Sequence, residues 1–264
     1  MKATVFLGGG RITAALLAGL HLAKYQPPIL VYDRHPPKLR QLKKLYGVGI
    51  EPDLQRAVAH AQLLIVAVRP SSVAGLLREV GHLDRPLAAV SLAAGVPLAN
   101  LRARLGPPVR WARAMPSPLC RSRRGLTALT FDRRFPPAAR REIQELFAEV
   151  GRTLEIPEEQ MDAFTVTYSA SHGYHALATL AAAAEKLGLD RTTAMTAAAH
   201  ALADAIAACA EGRVSLATLL HEAATPGGTA AAVLEAMDRH GYKRAVNKGL
   251  AAGLKRARKN AKRS

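Results

Sequence analysis

The chain has 264 residues, 49% hydrophobic and 22% charged, which is a globular composition rather than a disordered one. Its 37 Lys and Arg stand against 20 Asp and Glu, a net charge of +17, and its two cysteines exclude a disulfide framework and have no metal-ligand spacing. The Ala-rich stretch 176–184 ends at Glu185 and Lys186, too short to span a bilayer, and Lys2 leads into a strand rather than a signal peptide. A cytoplasmic protein is expected.

Thr4–Leu7 reads as a strand, Ile12–Ala23 as a helix, Ile29–Tyr32 as a strand and Lys38–Tyr46 as a helix. A strand at Leu63–Val68 and a helix at Ser72–Val80 follow, then strands at Leu87–Leu92 and Val109–Ala112. A last unit comprises the strand Leu126–Phe131, the helix Pro137–Val150 and the strand Arg152–Ile156. Doubly buried strands separated by helices mean βαβ units and a mostly parallel sheet, an α/β dinucleotide-binding (Rossmann) domain over residues 1–156.

Beyond Pro157 the strand signals stop. Ala-rich helices are expected at Met161–Leu187, Arg191–Ala210, Leu216–Glu222, Thr229–Asp238 and Tyr242–Ala261, an all-helical domain over residues 157–264. The stretches Tyr174–Ala184 and Ala194–Ala210 are apolar nearly all round. Helices of that kind need cover on every side, so a homodimer built from these C-terminal helices is expected.

Gly8-Gly9-Gly10-Arg11-Ile12-Thr13 follows the first strand and opens the first helix. Gly8 and Gly10 match the first two glycines of G-x-G-x-x-G, and Thr13 takes the third place. The first glycine permits a tight turn; the second lets a pyrophosphate approach backbone N–H groups at the helix start, around Arg11 and Ile12. Asp33 ends the second strand, where a carboxylate accepts from a ribose 2′-OH and favours NAD. Arg34, His35 and Lys38 beside it suit a 2′-phosphate, so NADP is the expected cofactor, with NAD as the alternative.

Six segments in register make the chain resemble the pyrroline-5-carboxylate reductases. They are Phe6-Leu-Gly-Gly-Gly10, Ala67-Val-Arg-Pro70, Ser91-Leu-Ala-Ala-Gly-Val96, Arg113-Ala-Met-Pro116, Asp162-Ala-Phe-Thr165 and Thr225-Pro-Gly-Gly-Thr229. The resemblance implies hydride transfer from a nicotinamide to the C=N carbon of a cyclic imino acid. It implies cofactor contacts at Ala67, Val68, Arg69, Pro70, Ala93 and Ala94. Substrate contacts are implied at Met115, Pro116, Ser117, Tyr174, Thr225, Gly227, Gly228 and Thr229. The helix start at Gly227–Thr229 would cradle a carboxylate.

The departures fall on the substrate side. Where the family has Ser-Gly-Ser-Gly-Pro-Ala-Tyr, this chain has Tyr168-Ser-Ala-Ser-His-Gly-Tyr174. The family's Met-Pro-Asn-Thr-Pro is Met115-Pro-Ser-Pro-Leu119 here, and Ala230 stands where a family Thr bonds the imine nitrogen. Candidate catalytic residues are therefore Thr229, with His172 or Tyr168 as the replacement donor. An altered imine substrate is one consequence. A degenerate dinucleotide-binding regulatory protein, which Ala230 favours, is another. A β-hydroxyacid-dehydrogenase-like enzyme is a third reading, but its catalytic Lys is missing from Met161–Leu187 except for Lys186 at the far end.

His172 and His175 lie three apart, but no third ligand accompanies them and no metal is expected. The basic run Lys255–Ser264 lacks interleaved aromatics and any helix-turn-helix pattern, so a specific nucleic-acid partner is not expected either.

Overall fold

The computed structural model describes residues 2–261. They form two compact units, one running to Tyr168 and including the last helix from Ala252 onward, the other Ser169–Ala251.

The first unit is built on eight strands: β1 (Ala3–Leu7), β2 (Ile29–Tyr32), β3 (Gly49–Ile50), β4 (Ala61–Val66), β5 (Leu87–Ser91), β6 (Val109–Pro116), β7 (Gly125–Phe131) and β8 (Gly151–Glu155). Their order is β3-β2-β1-β4-β5-β6-β7-β8, and only the β6–β7 pairing is antiparallel. Helices α1 (Arg11–Leu22), α2 (Pro36–Tyr46), α3 (Leu54–His60), α4 (Pro70–Val80), α5 (Leu98–Arg104) and α6 (Pro137–Ala148) connect them. The helix α7 (Met161–Thr167) completes this stretch of chain.

Successive residues of one strand face opposite layers, so both faces of the sheet are covered. Val5 and Leu7 join Val66, Leu76 and Leu77 on one side. Phe6 joins Leu16, Leu17, Ile65 and Phe147 on the other. The expected strands and helices of this half are all present. The β3 strand, α3 and α5 were not foreseen: β3 has two residues, too few for any periodicity. A signal for α3 did exist in Asp53, whose carboxylate caps it by accepting the Arg56 N–H at 2.8 Å.

Buried charge joins the sheet to the segment beyond it. Arg113 on β6 is 3% exposed and lies 3.4 Å from Glu158 and 3.2 Å from Asp162. The same Glu158 oxygen accepts the Leu98 N–H at the start of α5. A buried guanidinium without its carboxylates would be strongly unfavourable, so α7 is held to the sheet.

The expected single helix Met161–Leu187 is two. Tyr168 (φ −86°, ψ 63°) leaves the helical region and α8 (Ala170–Lys186) starts afresh after Ser169. The Tyr168 hydroxyl accepts the Leu126 N–H of β7 at 3.0 Å, a bond that a continuing helix has no means of requiring.

The second unit contains α8, α9 (Arg191–Glu211), α10 (Leu216–Ala223), α11 (Thr229–Arg239) and the first part of α12 (Tyr242–Ala261). Only Ala181 is buried on α8, and only Ala194 and Ala198 on α9. Leu187 is 88% exposed and Ile206 69%. The helix α9, with a mean hydropathy of 1.3, is by length and composition long and apolar enough to cross a membrane, whereas the stretch 176–184 lies within the shorter α8. The last three residues of the basic run, 262–264, lie outside the described residues.

Candidate functional site

Strand order reverses between β1 and β4: β2 and β3 lie on one side of β1, and β5 to β8 lie beyond β4. An open α/β sheet binds its ligand outside the C-terminal ends of the strands at such a switch point. The strand ends line up there, with Leu7 opposite both Tyr32 and Val66, Val66 opposite Ser91, and Ser91 opposite Arg113. The segments read from the sequence as cofactor-binding follow β1, β2, β4 and β5 directly. The structure brings them onto one edge of one unit.

The glycine turn is built by close approach. Gly8 has φ +115°, and a Cβ there would lie 2.7 Å from the Ala67 carbonyl oxygen, so only glycine fits between the two loops. Thr13, fully buried, donates its hydroxyl to the Gly8 carbonyl at 2.5 Å. Its hydroxyl thus closes the turn in the place where the motif prefers a third glycine. Helix α1 starts at Arg11 with Gly10 as N-cap, no side chain capping it and no acidic residue in its first turn. The first N–H groups of a helix lack intrahelical partners, and here they have a positive helix end and an open approach. This is a cradle for a phosphate, and the residues present fit the pyrophosphate of a dinucleotide.

At the end of β2 the Asp33 carboxylate accepts the Gly9 N–H at 2.8 Å and the His35 N–H at 2.9 Å. The His35 ring lies at 2.9 Å and the Lys38 ammonium at 3.8 Å. Burial pushes the Asp33 carboxyl up; the Gly9 N–H, the His35 ring and N–H and the Lys38 charge outweigh it and hold the group below its ordinary value. Arg34 points its guanidinium to Glu79, a residue that inspection of the motifs alone does not reveal.

Ala67 and Val68 follow β4, and Arg69 and Pro70 open α4. Ala93 and Ala94 lie in the loop after β5, where Gly95 (φ +73°) meets the backbone of Ala257 from α12. That contact is also a feature the motifs do not show. Met115 and Pro116 end β6 on the same edge, paired with Ala128 and Thr127 of β7, and Ser117 caps the short turn Pro118–Ser122.

The remaining candidates belong to the second unit, except Tyr168. His172 is exposed in the first turn of α8 and Tyr174 is exposed one half-turn on. Thr225, Gly227 and Gly228 form the turn before α11, closed by the Gly228 N–H on the Thr225 carbonyl at 2.9 Å. Thr229 is the first residue of α11 and Ala230 the second, both exposed.

Two family descriptions match the chain: "Pyrroline-5-carboxylate reductase dimerisation" over residues 158–260 and "NADP oxidoreductase coenzyme F420-dependent" over residues 4–95. The pyrroline-5-carboxylate reductase of Mycobacterium tuberculosis is 31% identical over 97% of this chain and 96% of its own. That of Thermus thermophilus is 32% identical over 95% of each. The chain belongs to the pyrroline-5-carboxylate reductase family. Solved structures agree on the fold: the reductase of Streptococcus pyogenes superposes with a TM-score of 0.88 at 21% identity, covering 97% of this chain and 98% of that one. The reductase of Plasmodium falciparum, solved with NADP bound, gives 0.87 at 18% identity, covering 98% of both chains.

Arg113 and Asp162 meet across 49 positions of sequence. Both lie in segments that resemble family motifs, one on β6 and one on α7, and the ion pair between them joins the two. The family's dimerisation region begins at residue 158, whereas the compact units part after Tyr168, so α7 carries family sequence of the helical region on the body of the first unit.

Proposed function

We propose that the protein reduces the C=N bond of a cyclic imino acid of the 1-pyrroline-5-carboxylate class with NADPH, forming L-proline or a close analogue. The observation that carries this is the glycine turn wedged against Ala67 at the switch point of a chain that belongs to this family. When bound, NADPH supplies the hydride to the imine carbon. The N–H groups of Arg11, Ile12 and Thr13 would hold its pyrophosphate, Arg34, His35 and Lys38 its adenosine end, and Ala93 and Ala94 would flank the nicotinamide. The turn Thr225–Thr229 would take the substrate carboxylate at the start of α11.

The imine nitrogen needs a donor as its carbon gains the hydride. Ala230 has no hydroxyl to offer. The Tyr168 hydroxyl accepts the Leu126 N–H, which gives it a structural role and leaves its proton to donate; Thr229, next to Ala230 at the start of α11, is the first candidate for that role, with His172 and Tyr168 beside it. On this reading the substrate-side departures belong to a rearranged donor set.

NADPH oxidation followed with a panel of cyclic imines tests the reading. Turnover of pyrroline-5-carboxylate or a ring homologue supports it, and Ala230→Thr should raise kcat/KM for pyrroline-5-carboxylate roughly tenfold, the worth of about one hydrogen bond. Tight NADPH binding with no imine turned over would instead establish a regulatory protein. The assembly is a homodimer through α8 and α9, where the exposed Leu180, Met195 and Ile206, with Leu187 just past α8, would be covered by the second copy. A cytoplasmic location is part of the same proposal.

A further inference from the structure

Arg34 is the first residue beyond Asp33 on the edge where the adenosine end of a dinucleotide would rest. Its Nη2 donates to both oxygens of Glu79, at 2.5 and 2.6 Å. Glu79 lies in the last turn of α4, near the negative end of the helix dipole, where a carboxylate is disfavoured unless a cation balances it. Arg34 provides that cation. The Gln55 side chain donates to the Glu79 carbonyl at 2.7 Å and anchors that turn against α3. Glu79 is thus fixed from its backbone side, and its carboxylate is directed at a residue 45 positions away in the sequence.

We infer that Glu79 is a specificity-determining residue: its carboxylate competes with the 2′-phosphate of NADPH for Arg34, and so sets how strongly NADPH is preferred over NADH. The inference rests on the cofactor reading proposed above. A phosphate carries more charge than a carboxylate and takes guanidinium donors strongly. It must either displace Glu79 from Nη2 or bear a like charge beside it. NADH has only a 2′-hydroxyl and makes no such demand. Asp33 meanwhile has both oxygens committed to N–H groups of its own chain, which limits what it can accept from a ribose hydroxyl. Lys38 and His35 are drawn to Asp33, leaving Arg34 as the cation whose partner decides the outcome.

Calorimetric titration of the full-length protein with NADPH and NADH at about 0.1 M salt tests the inference. The proteins compared are the parent, Glu79→Gln, Arg34→Ala and the double variant. The Arg34 and Glu79 side chains are 61% and 49% exposed, so melting curves of the variants should match the parent. Glu79→Gln should tighten NADPH by about two- to fivefold, the range for releasing an exposed ion pair, and leave NADH unchanged. In the Arg34→Ala background it should no longer alter the NADPH-to-NADH ratio. Unchanged or weaker NADPH binding in Glu79→Gln overturns the inference, the second result making Glu79 a support for Arg34 rather than its competitor. A parent that binds neither nucleotide overturns the cofactor reading itself, an outcome visible before any variant is made.

Discussion

The Asp33 carboxylate accepts the Gly9 N–H at 2.8 Å, tying the end of β2 to the glycine turn that ends β1. Gly9 is buried, so this N–H has no water to turn to if the carboxylate is lost. Asp33→Asn keeps one oxygen for that N–H but loses the charge and the second acceptor that His35 uses, and should cost about 1 kcal/mol of stability near neutral pH. The folded protein holds the Asp33 carboxyl below its ordinary value, so its contribution is complete above that value and is lost as pH falls through the depressed one. Urea midpoints of the parent and Asp33→Asn should differ at pH 7 and converge in the acid limb. A constant gap down to the lowest accessible pH would show that the charge plays no part.

Gly95 lies in the loop after β5, seated against α12. A Cβ there would collide with the Ala257 carbonyl of α12, and φ is +73°. Gly95→Ala pays the left-handed penalty of about 1–2 kcal/mol and must also push the end of α12 away. Hydrogen exchange should report lost protection at residues 252–261 together with a lower Tm. Unaltered exchange in that segment would refute the seating of α12 on the loop.

Tyr168 and His172 separate a structural role from a chemical one. Tyr168→Phe removes the acceptor of the Leu126 N–H and should cost about 1 kcal/mol of stability while leaving kcat close to the parent's. His172→Ala, at an exposed position, should leave the melting curve in place and lower kcat on the imine by about tenfold or more. Steady-state kinetics beside thermal melts decides. The reverse pattern would return the donor role to Tyr168.

Ile206, 69% exposed in the second half of α9, probes the assembly. Light scattering should give twice the 28.1 kDa chain mass for the parent and a shift toward one chain for Ile206→Glu. Leu45→Glu, at a similarly exposed leucine of α2, should remain a dimer. A monomeric parent at micromolar concentration would refute the dimer through α8 and α9.

Much of this protein is written locally. Runs such as Leu63-Leu-Ile-Val66 are apolar on both faces and become strands covered on both sides, and the spacing of Gly8, Gly10 and Thr13 between a strand and a helix is readable as a turn, although the close approach that demands Gly8 comes from Ala67. The helical second half follows from Ala-rich stretches punctuated by glycine. Family membership is legible for the same reason, since its motifs are short contiguous segments.

What only the tertiary structure decided are the pairings across long sequence separations. Helicity was expected to run through Tyr168, but its hydroxyl found Leu126 and the helix broke there. Nothing near Arg34 in sequence announces Glu79, and nothing near Gly95 announces Ala257. Local propensity is worth tenths of a kcal/mol per residue, whereas the partly buried bond of Tyr168 to Leu126 is worth about 1 kcal/mol. The long-range partner therefore overrides the local pattern at Tyr168.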